Sequence, residues 1–141
     1  MSLAPREFFD QLRRDEGLRL YVYLDSVGKA TIGYGRNLVD AGISHDEAEI
    51  LLRNDLLRTL GALDRDYPWW RDLGAVRSWV VANMAFNLGV AGFGAFQKAI
   101  TAMQARDREG AARDMLDSKW AGQVGARAHR LADQMRCGEW R

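Results

Sequence analysis

Within Asp15-Glu16-Gly17-Leu18-Arg19-Leu20-Tyr21-Val22-Tyr23-Leu24-Asp25-Ser26-Val27-Gly28-Lys29-Ala30-Thr31-Ile32-Gly33-Tyr34-Gly35 the apolar period changes, and that change decides the fold. Upstream, Phe8-Phe9-x-x-Leu12 has helical spacing and the pattern stops at Gly17. Glycine commonly follows a helix end because it takes positive φ without steric cost. Glu16 therefore falls on the last turn of a helix, where the negative end of the helix dipole disfavours a charged carboxylate. From Leu18 the period is two. Leu18, Leu20, Val22 and Leu24 alternate with Arg19, Tyr21, Tyr23 and Asp25, the pattern of a half-buried strand. Asp25-Ser26-Val27-Gly28 is turn chemistry, and Lys29 to Gly35 reads as the returning strand. A helix end and a hairpin thus carry two carboxylates, Glu16 and Asp25, and one hydroxyl, Thr31.

Outward from the hairpin the chain reads as helices. Residues 4–16 form the first, with Pro5 near its opening turn, where a missing N–H costs nothing. Residues 36–43 form a short loop. Ser44-x-x-Glu47 is a capping box that opens a helix over about 44–66, with Ala48, Leu51, Leu52, Leu56, Leu60 and Leu63 on one stripe. Tyr67-Pro68 ends it, because the residue before proline avoids helical geometry. Residues 75–88 are apolar on nearly every face, as expected of a buried central helix. Val90 to Gly94 reads as a flexible elbow. Helices follow over 95–104, 109–117 and about 125–136.

The 141 residues suffice for one domain with a real core. A net charge of +1 is not that of a polycation built for nucleic acid. Residues 1–58 are slightly acidic and residues 59–141 slightly basic. The one cysteine, Cys137, excludes an internal disulfide. His45 and His129 have no partners at metal-ligand spacing, so no metal and no cofactor are expected. No apolar run reaches the ~18 residues of a membrane span. Gly33-x-Gly35 lacks the third glycine and the following helix of a nucleotide loop.

The pattern E-G-L-R-L-x-x-Y-x-D-x-x-G-x-x-T-I-G-x-G resembles the active-site segment of the phage-type lysozymes, the endolysin family (glycoside hydrolase family 24). That resemblance implies Glu16 as general acid, Asp25 as the carboxylate that assists the attacking water, and Thr31 as the hydroxyl that positions it. Asn83-Met84-Ala85-Phe86-Asn87-Leu88-Gly89 is similar to the family's N-M-x-F-x-x-G segment. It implies sugar contacts at Phe86 and Asn87, although an amide capping a neighbour reads equally well. Lys119-Trp120 with Gln123, Arg127, Ala128 and Arg130 resembles a third family segment. There the Trp120 position packs beneath the cleft, and the Arg127 position binds substrate and pairs with the catalytic Glu. Burial and such an Arg act on Glu16 in opposite directions. Arg36 takes the place of a family histidine. Counting on from Ile43-Ser44-His45-Asp46-Glu47-Ala48-Glu49 puts Asp55 where that histidine's partner stands, so an Arg36–Asp55 ion pair is expected.

The resemblance runs from about Phe8 to Trp140. It implies a mainly α, α+β, two-lobed domain over residues 1–141. A hairpin lobe (about 15–43) and an interlobe helix (about 44–66) precede a helical lobe (about 69–141, with the N-terminal helix), and the connection at 36–43, shorter than the family's, leaves a third strand missing or vestigial. The implied activity is hydrolysis of the β-1,4 bond between N-acetylmuramic acid and N-acetylglucosamine. The implied partner is the peptidoglycan glycan strand, the implied outcome is inversion, and the expected state is a monomer without nucleic acid or membrane insertion. No basic-then-apolar segment opens the sequence, so synthesis in the bacterial host cytoplasm and action on the wall in the periplasm after release are expected. The alternatives are a tail-associated or effector lysozyme and a wall-binding module that has lost catalysis.

Overall fold

The computed structural model describes residues 4–141, which fall into two compact units divided between Ile50 and Leu51. The first holds helix α1 (Arg6–Glu16), strands β1 (Arg19–Leu24), β2 (Ala30–Gly33) and β3 (Arg36–Asn37), and the opening turns of α2 (His45–Asp66). The strands make one antiparallel sheet in the order β1-β2-β3. Arg19 faces Gly33, Tyr23 faces Thr31 and Leu24 faces Ala30, with an irregularity between Arg19 and Tyr23. The third strand is present but vestigial, at two residues.

α1 ends as expected, at Glu16, with Gly17 at φ +70° donating its N–H to the Arg13 carbonyl. The capping box also forms: Ser44 Oγ accepts from the Glu47 N–H, and Glu47 Oε1 accepts from the Ser44 N–H. The half-buried face expected of β1 does not. Leu18, Leu20, Val22 and Leu24 are all exposed, as are Phe8, Phe9 and Leu12 of α1. A four-residue partner strand and a two-residue third strand make too narrow a sheet to cover that face.

The second unit carries the core. After the rest of α2 come a 3₁₀ helix (Pro68–Leu73) and helices α3 (Arg77–Gly94), α4 (Gln97–Gln104), α5 (Arg108–Leu116), α6 (Lys119–Val124) and α7 (Ala126–Cys137). Val80, Val81, Met84, Phe93, Met103, Met115 and Met135 are fully or almost fully buried, with Trp70 and Trp120. Methionine's flexible thioether suits the irregular gaps where short helices meet. On α2 the predicted apolar stripe is buried only at Leu63, while Leu51 and Leu52 remain about half exposed. The expected elbow after Gly89 is instead helical. Gly89, at φ +76° and ψ 157°, breaks the helix for one residue, and the chain then winds on to Gly94. Phe93 explains why: it is fully buried and meets Tyr67 edge-on at 5.4 Å, a gain that outweighs the poor helix propensity of the glycines around it. α6 is an element that apolar periodicity did not reveal. Its signal is Ser118, whose Oγ accepts from the Ala121 N–H. No single helix among the described residues is long and apolar enough to cross a membrane.

Candidate active site

The hairpin places Asp25 and Thr31 on the backbone of one residue, Lys29. The Lys29 N–H donates to Asp25 Oδ1 at 2.8 Å, and Thr31 Oγ1 donates to the Lys29 carbonyl at 2.9 Å. Asp25 Oδ1 also accepts from the Val27 N–H at 3.0 Å, which closes the turn. Asp25 is therefore a turn-former through Oδ1, with Oδ2 taking no protein donor among the described residues. Thr31 is buried, and its one hydroxyl proton is committed to Lys29, so what remains of its hydroxyl is acceptor. The Lys29 side chain turns the other way, to Asp40.

Glu16 reaches the same hairpin from the end of α1. One of its carboxylate oxygens lies against Gly35, and its side chain lines a hollow of about 340 Å³ with Phe9, Leu12, Arg13 and Tyr34. Glu16 is exposed rather than partly buried, because the aromatic that accompanies it, Tyr34, is itself nearly half exposed.

In the second unit Phe86 and Arg127 come together. They line a hollow of about 610 Å³ with Asn83, Trp79, Leu56 and Trp140. The Arg127 guanidinium donates through Nε and Nη2 to Asn83 Oδ1, at 3.0 and 2.7 Å. Asn83 was not singled out from the sequence, yet its signal was available: a polar residue within the most apolar helix. Trp120 is buried, stands edge-on to Phe96 and donates from Nε1 to Asn87 Oδ1 at 2.8 Å. Asn87 thus does cap a neighbour, and its amide nitrogen stays available as a donor.

The Arg36–Asp55 ion pair does not form. Arg36 donates to the Gly42 carbonyl and pairs with Glu47 at 2.8 Å, while Asp55 pairs with Arg58 one turn on. The reason is distance along α2. Glu47 stands eight residues, or ~12 Å, nearer the start of the helix, where the capping box already fixes its carboxylate. Arg36, the Ser44 N–H and the Ser44 hydroxyl, in that order, lower the Glu47 carboxyl from an ordinary 4.5 to about 2.

The family model for phage lysozyme matches residues 13–134. The chain is 33% identical, over 93% of its own length, to the pre-baseplate central spike protein Gp5 of Enterobacteria phage T4, and it spans 27% of that protein. It is also 23% and 25% identical to the Dictyostelium discoideum proteins named "Probable T4-type lysozyme 2" and "Probable T4-type lysozyme 1", over 92% of its own length and 93% of theirs. The matched residues take in the end of α1, the whole hairpin and nearly all of the helical unit, and the chain belongs to the phage lysozyme family.

Proposed function

We propose that the chain is a peptidoglycan hydrolase. It is an N-acetylmuramidase that cleaves the β-1,4 bond between N-acetylmuramic acid and N-acetylglucosamine, acting as a monomeric endolysin on the wall in the periplasm. Residues 1–141 serve as one catalytic domain. Glu16 gives its proton to the leaving glycosidic oxygen. Asp25 and Thr31 hold the water that attacks the anomeric carbon from the opposite face, which inverts it. The observation that carries this reading is the Lys29 backbone, whose N–H donates to Asp25 and whose carbonyl accepts from Thr31. It leaves both as acceptors, so a water that donates to each turns a lone pair outward as the nucleophile. Phe86 and the free amide nitrogen of Asn87 offer the glycan an apolar face and a donor, and Asn83 holds the Arg127 guanidinium in one orientation for it.

The test is turbidity loss of purified peptidoglycan or outer-membrane-permeabilised cells, with wild type against Glu16→Gln. Glutamine keeps the shape and removes the proton donor, so the rate should fall at least ~10²-fold. Clearing by both proteins alike, or by neither, overturns the reading; sedimentation with the wall but no clearing would identify a wall-binding module instead. One observation favours a tail-associated role for the same chemistry. Identity to the spike protein, 33%, exceeds the 23% and 25% to the proteins named as lysozymes.

A further inference from the structure

Three glycines of the hairpin have positive φ: Gly28 at +81°, Gly33 at +71° and Gly35 at +85°. The backbone alone accounts for glycine at the first two, where a Cβ would meet nothing within 4 Å. Gly35 differs. A Cβ there would stand 3.1 Å from Glu16 Oε2 and 3.8 Å from its Cδ, and would meet no other group within 4 Å. The bare Cα of Gly35 is thus the surface on which the Glu16 carboxylate rests.

We propose that Gly35 is a positioning residue for Glu16: the missing side chain lets the acid lie against the hairpin that carries Asp25 and Thr31. The inference rests on the reading of Glu16 as the proton donor. A general acid works only within hydrogen-bond reach of the oxygen it protonates, ~2.6–3.2 Å. A methyl group at residue 35 would force the carboxylate to give by a few tenths of an ångström. Glu16 yields by rotating its side-chain torsions, which turns the acid proton away from the leaving oxygen while substrate contacts elsewhere are untouched. The expected signature is therefore a loss in kcat with KM little changed.

The experiment compares Gly35→Ala with Gly33→Ala on a soluble peptidoglycan oligosaccharide, with thermal unfolding recorded for both. Alanine is strained by positive φ at either position, so both variants should lose similar stability. Only Gly35→Ala should lose kcat, about ten- to a hundredfold, the scale of a small misplacement at the reacting group. In a Glu16→Asp background, where the carboxylate is one methylene shorter and clear of residue 35, Gly35→Ala should cost little more, a non-additivity that strain alone does not produce. If Gly35→Ala does not fold, Gly35→Asn against Gly33→Asn makes the same comparison, since asparagine adopts positive φ more readily. Equal kcat for the two glycine variants, or losses that simply multiply with Glu16→Asp, overturn the proposal. A Glu16→Gln protein that keeps its activity overturns the acid assignment and this inference together. An inactive Glu16→Gln with matched glycine variants overturns the positioning role alone.

Discussion

In the proposed reaction Asp25 would serve the turn and the chemistry with different parts of one side chain. Oδ1 accepts from two backbone N–H groups, and the proposed reaction calls on the charge. Two substitutions separate these roles. Asp25→Asn keeps a carbonyl oxygen for the turn and should leave the melting temperature nearly unchanged, while the hydrolysis rate falls ~10²-fold. Asp25→Ala should lose the rate and, in addition, about 1 kcal/mol of stability as the two N–H groups lose their acceptor. Equal activity of Asp25→Asn and wild type in the turbidity assay would reduce Asp25 to a turn-former. Glu16, Asp25 and Thr31 were all legible in the sequence because they sit in one short segment whose turn and period are local. The link through the Lys29 backbone was not, because a backbone group has no residue signature.

At the level of elements, the start of α2 depends on a pairing that crosses from the sheet. Arg36 of β3 and the capping serine converge on Glu47. The Glu47 carboxyl is depressed in the folded state, so its contribution is fully present above the unfolded value of 4.5 and fades as pH falls toward the folded value of about 2. Thermal unfolding of wild type and Glu47→Gln should show a constant gap from neutral pH down to about pH 5. The gap should narrow through the interval from 4.5 to about 2 and vanish in stronger acid. A gap that closes near neutral pH, or none at any pH, would mean that Arg36 and Ser44 do not hold this carboxylate. The box itself is legible in the sequence, being a four-residue pattern from Ser44 to Glu47. The partner of Arg36 is not legible there, because counting along a helix gives no direction in which a long side chain reaches across to it, and Glu47 rather than the expected Asp55 receives it.

For the whole molecule, burial is uneven. Every residue of the hydrophobic core belongs to the unit Leu51–Arg141, from Leu63 on α2 to Met135 on α7. The described ion pairs, by contrast, join side chains that keep at least 38% of their exposure, and such pairs add little individually. Stability should therefore follow the apolar core, and Trp120 tests this. It packs against Phe96 with its indole N–H satisfied by Asn87. Trp120→Ala should cost ~3–5 kcal/mol in denaturant or thermal unfolding, the scale of a large aromatic removed from a packed core. A melting curve unchanged by the substitution would contradict the burial of this residue.

The helix end at Gly17, the hairpin turn, the capping box and the buried central helix were all determined by sequence, because each rests on interactions within a few residues or on a strict period. The family followed from the same local pattern. Only the tertiary structure decided that the chain after Gly89 stays helical, since burial of Phe93 against Tyr67 overrides what the local glycines prefer. It alone showed that Asn83 takes up the Arg127 guanidinium, across 44 residues of chain. It also turned Gly35 from one more glycine of positive φ into the platform of a carboxylate, because which atom approaches a bare Cα depends on the helix that arrives there, not on the turn itself.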